Sequence, residues 1–193
     1  MKLANVFLSV FAALTVAVAG CSKPEEPAKP AAIQAVETYD TVAAQGKGFT
    51  AGAVMSTNTV YVLFDPQCPH CGRLWEASLP LHKKARFVWI PLAFINAKSM
   101  PQGAALLASG NPIEQMTEHE KSILAGTGGM AATANIAPEI EQAIKANTAL
   151  FNRLGAESVP MVVAKNLRSG HVITHTGAME TAALADLLGI DQP

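Results

Sequence analysis

Two kinds of apolar pattern take turns along this chain: short unbroken runs, and longer stretches where apolar residues recur every three or four positions. Val60-Tyr61-Val62-Leu63-Phe64-Asp65 and Arg86-Phe87-Val88-Trp89-Ile90 are of the first kind and predict buried strands, the second closed by Pro91. Met161–Ala164 and His171–His175 read as a hairpin around Asn166–Gly170. The second kind predicts helices. Ile33 to Gln45 forms a short amphipathic one, ended by Gly46-Lys47-Gly48, and Cys71 to about His82 another, carrying Leu74, Trp75, Ala77 and Leu79. A helical stretch from about Pro101 to Leu154 is broken by Gly110-Asn111-Pro112 and by Gly126-Thr127-Gly128-Gly129. Residues 179–188 close the chain with Ala183, Leu184, Leu187 and Leu188 on one helix face. Strand, helix, strand, helical insert, hairpin and helix make an α/β order.

The first residues follow another rule. Met1-Lys2, an apolar run from Val6 to Val18 and the small pair Ala19-Gly20 have the layout of an export signal, with an apolar region too short to span a bilayer as a mature helix. Val18-Ala19-Gly20-Cys21 resembles a bacterial lipobox, in which cleavage after residue 20 exposes a cysteine that takes a diacylglycerol; an ordinary secretory signal with a chance cysteine is the alternative. Both readings imply export to a compartment where disulfides persist. Residues 21–32, rich in proline, alanine and mixed charge, read as a tether on the order of 30 Å long when extended. Ser22 after the cysteine fits sorting to the outer membrane. Residues 33–58 are expected to be a linker segment and residues 59–193 the folded domain.

Chemistry concentrates at Cys68-Pro69-His70-Cys71, at the exit of a predicted strand and the start of a predicted helix. A helix N-terminus offers unpaired N–H groups and about half a positive charge, which favour a thiolate at Cys68. The thiolate is the attacking species. A two-residue spacing lets Cys71 reach back and resolve a mixed disulfide formed at Cys68. A C-x-x-C so placed reads as a thioredoxin-like redox site, and no cofactor beyond a redox-active Cys68–Cys71 disulfide is expected. His70, if cationic or donating toward sulfur, would favour the Cys68 thiolate; a solvent-exposed loop histidine with little coupling is the other reading. Pro69-His70 of the strongly oxidising kind implies a thiol near pKa ~3.5 and a potential near about −120 mV.

A second element lies far along the chain at Ser158-Val159-Pro160-Met161. A proline at the mouth of a hairpin strand is where thioredoxin-like folds set a cis-proline beside the disulfide, so Val159-Pro160 is expected to dock the substrate backbone. An ordinary trans-proline at a strand start is the alternative.

The segment from Val60 through Cys71, followed by Leu74-Trp75, resembles the catalytic domain of the DsbC/DsbG family of periplasmic disulfide isomerases, and the likeness continues through Ala104–Asn111, Gly126–Gly129 and Asn147–Gly155 to Val159-Pro160. It covers roughly residues 50–190. The resemblance implies a thioredoxin-like fold with a helical insertion, Cys68 as nucleophile, Cys71 as resolving cysteine and Pro160 as cis-proline. Three features depart from that family. Residues 33–59 are too few for its dimerisation domain, which implies a monomer. Pro69-His70 and Val159 both resemble the DsbA-type oxidase.

Other clusters point elsewhere. Cys68, Cys71 and His70 lack a fourth ligand for structural zinc, and copper delivery would draw on His171 and His175. Glu76 and Asp65 flank the site as candidate proton shuttles or as ordinary, partly buried carboxylates. The methionines are scattered, and Gly126–Gly129 follows no strand and so makes a poor phosphate cradle. Of 14 basic and 15 acidic residues only Lys2 precedes Cys21, so the rest of the chain carries about −2 and no nucleic-acid partner is expected. The expected function is a lipid-anchored thiol:disulfide oxidoreductase acting on exported proteins with cysteines and served by a DsbD-like or DsbB-like membrane partner. A reductase of the DsbG kind and a copper-binding lipoprotein are the alternatives.

Overall fold

The computed structural model describes residues 35–132 and 135–192, so the signal peptide, Cys21 and the tether expected from the sequence lie outside the described residues. The elements run α1 (Ala35–Gln45), β1 (Phe49–Gly52), β2 (Thr59–Phe64), α2 (Pro69–Ser78), β3 (Arg86–Pro91), α3 (Ser99–Ala108), α4 (Pro112–Leu124), α5 (Pro138–Arg153), β4 (Met161–Lys165), β5 (Val172–Thr176) and α6 (Thr181–Leu188). Among these, no helix is long and apolar enough to cross a membrane.

One five-stranded sheet carries the fold, in the order β1-β3-β2-β4-β5. β2 and β3 are parallel, with Val60 opposite Phe87 and Val62 opposite Trp89, so the chain between them must cross over, and α2 is that crossover. β4 runs antiparallel to β2, placing Met161 opposite Leu63, and β5 returns antiparallel to β4. Strands β2 and β4 are buried on both faces because helices cover both, which is why they read as continuous apolar runs.

Alternation along β2 assigns the faces. Phe64 packs edge-on against Trp89, and Trp89 against Trp75 of α2, with ring centroids 5.5 and 5.1 Å apart. Tyr61 points the other way, to Tyr39 of α1 at 5.3 Å. Thr181 Oγ at the start of α6 donates to the Ala77 carbonyl at 2.9 Å, clipping the last helix to α2.

The predicted linker at residues 33–58 is replaced here by structure. Its described part supplies α1 and β1, and β1 pairs antiparallel with β3. Phe49 joins the aromatic cluster at 6.3 Å from Phe64, and Val42 is fully buried. The predicted helical stretch resolves into α3, α4 and α5. Asn147 of α5 fixes the α1–β1 loop: its amide donates to the carbonyls of Lys47 and Pro91 and accepts the Lys47 N–H at 2.9 Å.

Candidate active site

Cys68 caps α2 in extended backbone (φ −98°, ψ 111°), and Pro69 occupies the first helical position, where its missing N–H costs nothing. The helix therefore starts two residues before its expected first residue. It stops at Ser78, followed by a short 3-10 turn over Leu79–Leu81: Leu79 keeps helical backbone (φ −53°, ψ −46°) and its N–H donates to the Glu76 carbonyl, while Pro80 has no N–H with which to continue the ladder.

Both cysteines are free thiols. Both are buried, Cys71 wholly and Cys68 to 4% exposure, so what little of the pair reaches the surface belongs to Cys68. Their acidities diverge accordingly. Cys68 is lowered to about 7, chiefly because the Cys71 thiol donates to its sulfur, with backbone N–H groups of Cys71 and His70 adding to this; burial and the charge of Asp65 oppose it. Cys71 is raised well above the usual thiol range by burial and by its hydrogen bond to Cys68. The two thiols are thus distinguished by environment alone.

The lowering of the Cys68 thiol runs in the direction expected of a thiolate-favouring site, and the His70 ring is not among its causes. The ring is exposed, with Nδ1 3.4 Å from Arg73 Nη1, and what His70 gives the sulfur is its backbone N–H.

The Val159–Pro160 bond is cis. Val159 is 9% exposed, and its carbonyl accepts from Cys68 Sγ at 3.6 Å across a sequence separation of 91 residues. The two sequence elements expected to form one site therefore meet.

Asp65 is fully rather than partly buried. It accepts the N–H groups of Gln67 (2.8 Å), Phe94 (2.7 Å) and Ile95 (2.9 Å) and the Ser99 hydroxyl (2.8 Å). It ties the turn before Cys68 to the β3–α3 loop. Glu76 is exposed on α2.

The insert contributes groups that sequence reasoning missed. His119 of α4 is buried, donates from Nε2 to the Pro66 carbonyl at 2.6 Å and accepts the Met130 N–H at Nδ1, 3.1 Å away. Burial lowers its pKa, which keeps the ring neutral in this bridging role. Gly129 (φ +82°) lies against the ring, where an added Cβ would sit 2.5 Å from Cε1. The Gly126–Gly129 run thus closes over the insert, and the Gly128 carbonyl accepts from Gln67 and Gln102 at 3.1 and 3.0 Å. Glu120, next on α4, is wholly buried against α2, and neither carboxyl oxygen has a hydrogen-bond partner. A buried histidine–glutamate pair inside an amphipathic helix was the available signal.

His171 is exposed in the β4–β5 turn, and His175 lies on β5 opposite Val162. Among the described residues no three His, Cys, Asp or Glu side chains gather where they would hold one ion.

No known protein-family model matches the chain. It is similar to the thiol:disulfide interchange protein DsbG of Pseudomonas aeruginosa, 29% identical over 140 residues, 72% of this chain and 54% of the relative. It is also similar to the Escherichia coli protein of that name, 30% identical over 53% of this chain and 42% of that one. The chain thus spans about half the length of the curated relatives it matches. Among solved structures, the catalytic domain of Proteus mirabilis ScsC superposes with a TM-score of 0.61 at 14% identity, over 81% of this chain and 97% of that one. The thiol-disulfide exchange protein alpha-DsbA2 from Wolbachia pipientis gives 0.62 at 15% identity, over 80% and 94%. The chain has a thioredoxin-like fold with a helical insert between the third strand of its sheet and the hairpin, and about half of the length of the thiol:disulfide interchange proteins named above is similar to it in sequence.

Proposed function

We propose that the protein is a periplasmic thiol:disulfide oxidoreductase that exchanges a Cys68–Cys71 disulfide with cysteines of exported proteins, tethered to a membrane by a lipid on Cys21. The observation that carries the reading is the asymmetry of the thiols, one at the helix start and near 7, the other buried and far higher. A substrate thiolate attacks Cys68 Sγ, the Cys68–Cys71 bond breaks, and the electron pair goes to Cys71. A second substrate thiolate then attacks the substrate sulfur of the mixed disulfide and expels the Cys68 thiolate, which leaves the substrate oxidised and the Cys68–Cys71 pair reduced. In the opposite direction the Cys68 thiolate opens a substrate disulfide and Cys71 resolves it.

A thiol near 7 is the range of thioredoxin rather than of the strong oxidant DsbA, which favours the reducing direction as the second reading. A DsbD-like membrane partner suits that direction and a DsbB-like one the other. The carbonyl of Val159 beside the sulfur supports substrate docking at Val159-Pro160. His70 acts through its backbone N–H, leaving its ring and Pro69 as the exposed rim that a partner meets.

The test is capture. Cys71→Ser removes the resolving thiol and is expected to accumulate acid-quenched mixed disulfides with exported proteins in the membrane fraction. Adding Cys68→Ser should abolish them, and Cys21→Ser should move them to the soluble fraction. An absence of adducts in Cys71→Ser would refute the exchange reading.

A further inference from the structure

The three most exposed large apolar side chains among the described residues, Met55 (95%), Val54 (62%) and Leu167 (55%), lie at one end of the sheet, the end opposite Cys68. The strand register places them there. β2 runs from Thr59 up to the active-site turn, and β3 runs parallel to it from Arg86. β1 is antiparallel to β3 with Gly52 level with Arg86, so the turn over residues 53–58 lies at the foot of the sheet. β4 is antiparallel to β2 and ends at Lys165, opposite Val172 of β5, so the turn over residues 166–171 lies at the foot as well. The C-terminal segment braces the two turns. Ser56 Oγ donates to the Lys84 carbonyl at 3.4 Å, and Lys84 Nζ donates to the Asp191 carbonyl at 3.0 Å. From the other turn, Arg168 Nη2 donates to the Ile190 carbonyl at 3.2 Å.

Charge and the entry point of the chain indicate what covers this end. Beside Val54 and Met55 stand Lys84 and Arg86, with Lys83 next in the chain, and Arg86 Nη1 donates to the Val54 carbonyl at 3.5 Å. Among the described residues no carboxylate forms an ion pair with these three. Acidic groups gather instead on the Leu167 side, where Lys165 pairs with Asp40 and Arg168 with Asp186 and Asp191. Exposed apolar tips next to unpaired lysine and arginine suit the headgroup layer of an anionic bilayer, which takes up the apolar groups and attracts the charges. The first turns of α1 lie at the same end: Tyr39 donates from its hydroxyl to the carbonyl of Thr59, the first residue of β2, at 3.3 Å. Residues 21–34, which lead from Cys21 to α1, therefore join the domain at its foot. We infer that the end of the domain opposite Cys68 lies against an anionic phospholipid surface, with Met55, Val54 and Leu167 in the headgroup layer. The 6 residues of β2, at about 3.3 Å each, then lift Cys68 on the order of 20 Å from the lipid and present it to the aqueous side, where exported proteins are met.

This inference deepens the proposed tethering and rests on it for the choice of a membrane as occupant, and the test separates the two. The full chain, purified as the cell makes it, is mixed with vesicles of phosphatidylethanolamine and phosphatidylglycerol whose acyl chains are brominated. Two variants are compared, Met55→Trp and Phe94→Trp. Phe94 is exposed in the β3–α3 loop at the active-site end, and the native Trp75 and Trp89 are buried and give a constant background. The emission of Met55→Trp is expected to shift to the blue and to be quenched by the bromines, and that of Phe94→Trp to stay unchanged. Adding Leu167→Asp to Met55→Trp should reduce the quenching. Brominated phosphatidylcholine alone should reduce it too, because the basic side chains lose the lipid charge they face. Equal changes at 55 and 94, no change at 55, or quenching at 55 that is indifferent to lipid charge would overturn the docking face. A blue shift at 55 that grows with protein concentration without vesicles would also overturn it, by assigning the surface to a second copy of the chain. The acyl group is read separately, as the mass of the peptide that carries Cys21. A Cys21 without lipid would overturn the anchor and leave the contrast between 55 and 94 to report on the face.

Discussion

Asp65 closes β2 and Glu120 lies in the third turn of α4; both carboxyls are fully buried near the same pair of cysteines, but four donors converge on the first and none on the second. Asp65 belongs to the turn that presents Cys68, and its charge is spent holding the Gln67, Phe94 and Ile95 backbone in one arrangement. Glu120 belongs to the insert and holds nothing. One buried carboxyl is fixed by its partners; the other is left without any. The comparison shows that burial alone does not assign a role. The inventory of partners does.

Removing Asp65 should have the largest effect. Asp65→Ala strands three backbone N–H groups and a hydroxyl, each on the order of 1–3 kcal/mol when left unsatisfied. A loss of about 4 kcal/mol or more in unfolding free energy is expected from denaturant melts, and a loss below about 1 kcal/mol would show that the four bonds do not organise the turn.

Glu120→Met should go the other way. It removes an unpartnered acid at similar volume, and a gain of about 1–3 kcal/mol is expected. The sign of its pH dependence follows from the raised pKa of Glu120. An acid whose folded pKa lies above its unfolded value contributes least to stability once pH exceeds the unfolded value and rises toward the folded one. The gain from methionine should therefore be larger at pH 8 than at pH 5. A variant less stable than the parent at both would mean that Glu120 has a partner after all.

A smaller effect is expected at His119, whose folded pKa is lowered by burial. Below about pH 6.5 the unfolded chain protonates first, so stability present above that value is lost as pH falls toward the folded pKa. In His119→Gln the loss between pH 6.5 and 5 should shrink without disappearing, because His82 is lowered by burial in the same direction. An unchanged slope would remove His119 from the account of the loop over Gly126–Met130.

These contrasts also mark how far the sequence was readable. β2 and β3 were legible because a strand covered on both faces has to be an unbroken apolar run. Cys68, Cys71 and Pro160 were legible because each needs its residue type at one spot in the backbone. β1 was not: Phe49-Thr50-Ala51-Gly52 is four residues long, and only pairing with the distant β3 makes it a strand. His119 and Glu120 were also hidden, since polar residues on an amphipathic helix read as its wet face until a partner covers them. What lowers the Cys68 thiol was hidden for a related reason, because the Cys71 thiol and the backbone N–H groups of Cys71 and His70 act on the sulfur through their placement, which residue type alone does not give.

The central claim is that Cys68 and Cys71 form one asymmetric exchange pair. Its most direct test is the rate of iodoacetamide alkylation of the reduced protein against pH, with the modified residue identified by peptide mapping. The account predicts modification at Cys68 alone, with a rate that rises through a midpoint of about 7 while Cys71 stays unmodified. Equal labelling of both cysteines, or a Cys68 midpoint at the ordinary value of about 8.5, would contradict it.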